Sequence, residues 1–277
     1  MTMPTNFGAH VRWWRMRRGL SQLDLAGAAG TTQRHLSFLE SGRTQPSREM
    51  VLRLAAALDV PLRQQNTLLL AAGFAPVWRE SDLAAPALVM VNSALDHMLA
   101  QQEPFPAVVV DRRWNLLRAN AGAARLTAFL TGPAPAAAAP GTVNLAAWLL
   151  SPDGLRPFLV NWYDVALYFL RGVQADAMAD GTQDTAELLQ RLQAYPGVPA
   201  LSHVPALEEA PLPVLAMHFH KGQTVLRLFT TIATLGTPQD VTVQELRIEC
   251  FFPADAATSQ VFKDWAAQAP RAPGSAQ

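Results

Sequence analysis

Cysteine is nearly absent: Cys250 is the only one in 277 residues, and it stands in an apolar run. A single thiol closes no intrachain disulfide and supplies no cysteine-based zinc set. Lysine is almost as scarce, with only Lys221 and Lys263. Beside the many Ala, Pro and Arg residues, that scarcity reads as genome composition bias rather than function. No apolar run of about 18 residues is free of charge and proline, so no membrane span is expected. The N-terminal stretch MTMPTNFGAHVRWWRMRRG is basic with no apolar segment behind it, which argues against a signal peptide. There is no phosphate-binding loop, no Gly-rich dinucleotide fingerprint and no Ser-centred elbow; the glycines stand singly. These absences point to a cytoplasmic protein, in a reducing compartment, that is not an enzyme and carries no cofactor.

Half of the chain is apolar and 16% is charged, enough to bury the cores of two domains at this length. The charge is uneven. Residues 1–63 hold nine arginines against Asp24, Glu40, Glu49 and Asp59, and the remainder holds 13 basic against 18 acidic residues. A basic head on an acidic body suggests that the head alone meets a polyanion.

The head reads as four or five short helices. The first spans 6–18 and stops at Gly19. Ser21 caps the second, with Asp24 as the return half of a capping box and Leu20 and Leu25 placed as a hydrophobic staple. Gly30 ends it, Thr32 caps the third and Gly42 closes that one. Ser47 caps a fourth, in which Val51, Leu54, Ala55 and Leu58 recur at helical spacing before Pro61. A fifth runs over about 62–72. Helices two and three, joined by a sharp turn, form a helix-turn-helix, whose second helix presents its N-terminal residues to base edges in the major groove. Gln33, Arg34 and His35 are long polar residues at that position; Gln pairs with adenine and Arg with guanine. Ser37 faces the groove, Phe38 suits a thymine methyl, and Leu36 and Leu39 point inward. Gln22 and Arg43 are phosphate candidates, and the capping residues Thr32 and Ser47 belong to the same surface. The alternative is a helical protein-interaction module.

The phrases Leu20-Ser21-Gln22, Leu39-Glu40-x-Gly42-Arg43 and Pro46-Ser47 resemble the XRE-type helix-turn-helix of phage-repressor-like regulators, over about residues 6–72. That resemblance implies double-stranded DNA as partner. It also implies that Glu40 pairs with Arg15 of the first helix to support the fold rather than to touch DNA.

Beyond a connection at 74–85, a helix is expected over 86–102. PAVVVDRRWNLLRAN reads as a β-hairpin about its Asp-Arg-Arg turn. Helices follow at 120–130, 143–150, 154–178 and 184–194, with GPAPAAAAPG (132–141) as a low-complexity loop. From Leu215 the period becomes two: LAMHFHKGQTVLRLFTTIATLG and VTVQELRIECFFP supply about three strands, with Lys221-Gly222 as a turn. A last helix covers 256–267, and the tail is expected to be disordered. No internal repeat occurs. The fold class is α+β: an all-α helix-turn-helix domain (1–73), a connecting loop and helix (74–103), a five-stranded antiparallel sheet with helices (104–268) and a tail (269–277).

The stretches LLLAAGFAP, QQEPFPAVVVDRRWNLLRAN, SPDGLRPFLVNW and LFTTIATLGTPQDVTVQELRIECFFPAD resemble MmyB-like transcription regulators, to about residue 268. The resemblance implies a C-terminal ligand-binding domain of PAS-like fold. Such a sheet can enclose an apolar pocket against its helices. Candidate lining residues are Phe158, Trp162, Phe169, Phe219, Phe229, Ile232 and Phe251, each of which is equally at home in an ordinary core. Among the apolar stretches stand Asn120, Arg156, Asn161, His218 and Arg227, polar groups that need partners when buried. They can meet a ligand head group or tie helix to sheet. The ligand expected is a fatty acid or similar amphiphile.

Other chemistries find less support. His218 and His220 share a strand face, as two metal ligands would, but no third ligand is evident. Haem would need His203, His218 or His220. Cys250 in ELRIECFF reads as an inert buried thiol. The expectation is a ligand-responsive regulator acting as a homodimer, because a single helix-turn-helix offers few base contacts. A constitutive repressor whose C-terminal domain only dimerises is the alternative.

Overall fold

A computed structural model describes residues 6–132, 141, 143–202 and 214–268. Nearly all of the expected Ala/Pro loop, His203 and the expected disordered tail lie outside the described residues. The chain forms two compact units. The first is residues 1–85 together with 176–186 and 236–244, and the second takes in the rest of the described chain.

In the first unit five helices surround one core: α1 (Phe7–Arg17), α2 (Gln22–Ala28), α3 (Gln33–Glu40), α4 (Arg48–Ala57) and α5 (Leu62–Ala71). Their starts follow from local chemistry. Ser21 Oγ accepts from the Asp24 amide at 3.1 Å while Asp24 Oδ2 accepts from the Ser21 amide at 3.0 Å, the reciprocal box that satisfies two orphan donors. Thr32 and Ser47 hydroxyls accept from the amides of His35 and Met50, each at 3.2 Å. Val11, Trp14, Leu25, Leu36, Leu39, Val51, Leu54 and Leu68 form the core. Segment 236–244 joins this unit through polar contacts with its backbone: Gln244 Oε1 accepts from the Leu62 amide at 2.7 Å, and the Val241 amide donates to Arg79 O at 2.8 Å.

Helix α1 crosses the end of α3 closely. A Cβ built on Gly8 would lie 2.4 Å from Leu39 O and 2.6 Å from Glu40 O. Only a residue without a side chain allows that approach.

The second unit is built on a five-stranded antiparallel sheet of order β2-β1-β5-β4-β3, the PAS-like architecture expected. After a short 3-10 turn at Pro86–Leu88 come α6 (Val89–Gln101), β1 (Ala107–Val110), β2 (Leu116–Ala119), α7 (Ala121–Thr131) and α8 (Leu145–Leu150). Then follow α9 (Trp162–Asp180), α10 (Gln183–Gln193), β3 (Met217–Lys221) and β4 (Thr224–Ala233). Helix α11 (Val241–Glu245), most of which belongs to the first unit, precedes β5 (Arg247–Pro253) and α12 (Ala256–Gln268). The hairpin turn is organised by Asp111, whose carboxylate accepts from the amides of Arg113 and Asn115 at 2.8 and 2.9 Å. Trp114 beside it has a left-handed backbone, φ 65°.

Two expected elements differ. The helix expected over 154–178 starts only at Trp162. Pro157 sits in a 3-10 turn, Leu159 then bridges Phe219 of β3, and the Val160 amide donates to His218 O at 2.8 Å in the turn that leads into α9. In VTVQELRIECFFP the first five residues are helical, not extended. The Asp240 carboxylate caps them by accepting from the Thr242 amide at 2.9 Å, and the strand begins at Arg247.

The close crossing at Gly8 yields a test. Gly8→Ala is expected to destabilise the chain by about 1–3 kcal/mol through overpacking, read as a lower denaturant midpoint in helical circular dichroism. An unchanged midpoint would contradict the crossing.

Candidate functional site

Helix α3 carries its charge outward. Leu36 and Leu39 are buried, which leaves Gln33 and Arg34 exposed and His35, Ser37 and Phe38 half-buried on the opposite side. The guanidinium groups of Arg34 and Arg43 lie 5.5 and 5.8 Å from the Phe38 ring centre. These three residues therefore share one face. Among the described residues no acid pairs with Arg34 or Arg43, so both cations stay available to a polyanion.

The helix is held at its far end by Glu40. Arg15 Nε and Nη2 donate to the two Glu40 oxygens at 2.6 and 3.0 Å, as a bidentate fork. Arg15 Nη1 also donates to Leu20 O at 2.9 Å. The hydrogen bond to Glu40 raises the Arg15 pKa. Gln22, expected at a phosphate, donates to Glu40 Oε2 at 2.8 Å in this structure. The hydroxyls of Thr32 and Ser47 are engaged as caps while both residues remain exposed.

In the second unit a cavity of about 930 Å³ lies between one face of the sheet and helices α7, α8 and α9. That is large for a small-molecule site, which spans roughly 300–1,000 Å³. Helix α9 lines it with Val165, Tyr168, Phe169 and Gly172, a stripe at helical spacing. Leu126 and Leu130 come from α7, Trp148 and Leu149 from α8, and Trp114 from the hairpin turn. The sheet contributes Val108, Leu116, Met217, Phe219, Thr230, Ile232, Glu249 and Phe251.

Of the candidate ligand residues, Phe169, Phe219, Ile232 and Phe251 line this cavity. The others do not, and each has a reason. Asn120 caps α7: its Oδ1 accepts from the Ala107 and Ala123 amides at 2.9 Å, and its Nδ2 donates to Leu99 O and Phe105 O at 3.2 and 2.8 Å. All of its hydrogen-bonding capacity thus ties α6, β1 and α7 together. Asn161 ties the turn before α9 to β3, donating to Ala216 O at 2.8 Å and accepting from the His218 amide at 2.9 Å. Arg156 lies 3.9 Å from the Trp162 ring centre and donates to Pro196 O, while Trp162 Nε1 donates to Leu149 O at 3.2 Å. Phe158 packs on the core. His218, Arg227 and Phe229 occupy the alternate positions of β3 and β4, away from the cavity face. Arg227 there bonds Asp255 at 3.0 Å, and Phe229 stacks on Phe252 at 5.6 Å. His218 and His220 gain no third ligand: among the described residues no group of three His, Cys, Asp or Glu is placed to hold a metal. Burial, with the neighbouring Glu249, raises the Cys250 pKa, which disfavours the thiolate.

Glu249 escaped the sequence reading. It lies on β5, the central strand, between Val108 of β1 and Ile232 of β4. Desolvation pushes its carboxyl from 4.5 up to about 7, against the opposing pull of a hydrogen bond from Thr230 and the Arg247 charge. The available signal was an acid in phase with Phe251 in a strand that is apolar beyond Arg247.

Residues 91–264 match the family model of the MmyB-like transcription regulator ligand binding domain, and residues 11–65 match a helix-turn-helix model. No curated protein matches. One similar solved structure is an RNA-binding light-oxygen-voltage receptor, 12% identical with a TM-score of 0.27; the match covers 93% of this chain and 62% of that one. Among the described residues no helix is long and apolar enough to cross a membrane.

The raised Glu249 pKa fixes the sign of a pH effect. Between 4.5 and about 7 Glu249 binds more proton in the folded than in the unfolded state, so its contribution to stability falls as pH rises through that window and then levels. Thermal melts at stepped pH check this: Glu249→Gln is expected to flatten the fall. An equal slope in both proteins would contradict the assignment.

Proposed function

The chain belongs to the MmyB-like transcription regulators, and from that premise we propose that it works as a homodimer. It reads its operator with α3, and it changes its hold on DNA when a small, largely apolar, fatty-acid-like molecule occupies the cavity. The observation that supports the ligand reading is the cavity lining, in which Leu126, Leu149 and Phe169 on the helices and Phe219 and Phe251 on the sheet give a largely apolar wall. Polar solutes gain little from such a wall, whereas an alkyl or aromatic body gains roughly 25 cal/mol per Å² removed from water.

The DNA reading rests on the outward face of α3. Arg34 stands in its first turn, where base edges are reached, and Arg43 follows the helix, where phosphates run. A lone helix-turn-helix spans too few base pairs for high selectivity, which is why two copies on a two-fold site are proposed. The ligand acts on DNA binding only through a difference in its affinity for the DNA-competent and the incompetent arrangements, and DNA then acts on ligand affinity by the same factor.

Selection from a randomised duplex library, followed by affinity measurement over a salt series, tests this reading. Arg34→Ala is expected to lose about 1–3 kcal/mol of discrimination at one base position. Arg43→Ala is expected to weaken all sequences alike and to reduce the salt slope by about one. If neither variant alters preference or affinity, α3 is not the reading helix. If wild-type binding shows no salt dependence, DNA is not its partner.

A further inference from the structure

Among the described residues lining the cavity, Glu249 is the only one with a charged side chain. It cannot turn away. Its strand is central, its cross-strand neighbours Val108 and Ile232 share its face, and it is only partly exposed. Thr230, diagonal to it on β4, gives it a hydrogen bond, and Arg247 stands two residues along the same strand. The Arg247 guanidinium also lies 5.8 Å from the Trp114 ring centre. Of the other polar lining groups, the Thr131 hydroxyl already donates to Thr127 O at 3.0 Å, Thr127 and Tyr168 bring hydroxyls, and Trp114 and Trp148 bring indole N–H groups, which only donate. Glu249 is therefore the strongest acceptor that a ligand meets among the described lining residues of a largely apolar chamber.

That chemistry narrows the head group. A ligand carboxylate beside Glu249 would put two like charges in a poorly solvated place unless they shared a proton. An ammonium would bring a second cation to a corner where the Arg247 charge already acts on the Glu249 carboxyl. A hydroxyl brings one donor, which an ionised carboxylate accepts strongly. We infer that the ligand's polar end is a hydroxyl, alcohol or phenol, that donates to Glu249 beside Thr230. The inference rests on the ligand reading above and replaces the acid head group of a fatty acid with a neutral donor.

Isothermal titration calorimetry on the full chain, stripped of lipid on a hydrophobic resin and held at pH 8, tests it with decanol, decanoate and decylamine. Glu249→Gln, nearly equal in size, offers an amide donor as well as an acceptor, and its thermal melt checks folding. Wild-type protein is expected to bind decanol at least about tenfold tighter than decanoate, the scale of one hydrogen bond to a charged group. In Glu249→Gln that ratio is expected to shrink by about tenfold, because decanoate gains a donor and loses a like charge. Because decanol is also the more apolar probe, the change in ratio between the two proteins is the deciding quantity. Decanoate equal to decanol in wild type, decylamine ranking first, or a ratio unmoved by Glu249→Gln would each overturn the hydroxyl assignment while leaving the apolar-ligand reading in place. Binding of none of the three probes to either protein would remove that reading, and this inference with it. Should Glu249→Gln not fold, Thr230→Val takes its place, with loss of decanol affinity expected and an unchanged affinity overturning the inference.

Discussion

Successive side chains of a strand point to opposite faces, and in the central strands of this sheet that alternation decides which residues can meet a ligand. On β5 it sends Glu249 and Phe251 to the cavity and Cys250 and Phe252 to the other side; on β4 it separates Thr230 and Ile232 from Phe229. A shift of one residue in either strand would exchange the two sets and leave the chamber lined by different chemistry. The register is fixed from both sides of β5, by four pairs with β1 and six with β4. Structural amides hold the surrounding helices to that frame. Asn120 bonds α6, β1 and α7 together, and Asn161 fastens the approach to α9 against β3.

The helical unit solves a different problem: presenting a polar helix face while keeping the helix rigid. Arg15, Gln22 and Glu40 form a network that joins α1, α2 and the end of α3. Glu40 is bonded on both oxygens, so removing any one partner leaves a half-buried charge undersatisfied. The Gly8 contact serves the same end by letting α1 sit directly on the carbonyls of Leu39 and Glu40. What remains outward is the pair of cations around Phe38, Arg34 and Arg43, suited to a polyanion.

Local features were legible in the chain. Ser21, Thr32 and Ser47 cap helices because each bonds an amide three residues ahead, a relation that depends on nothing distant. The hairpin, the three later strands and the sheet followed from a period of two. Pairings across 25 residues, such as Arg15 with Glu40, were reachable only through family resemblance. The cavity was harder. Counting aromatic residues gave Phe169, Phe219 and Phe251 but also Phe229, because a pattern of period two does not say which face the helices cover. Asn120 and Asn161 looked like head-group ligands because a buried amide needs partners, yet backbone groups supply them. Glu249 was hard to see because it stands in an apolar phrase beside a cysteine, the more conspicuous residue for chemistry.

The second unit is proposed to hold a small apolar molecule. Native mass spectrometry of the purified chain, followed by organic extraction and identification of what is released, tests it most directly. One small molecule per chain, with an alkyl or aromatic body, is the expected result. A tightly held nucleotide or sugar would contradict it. So would a protein that carries nothing and takes up no amphiphile when incubated with a mixture of them.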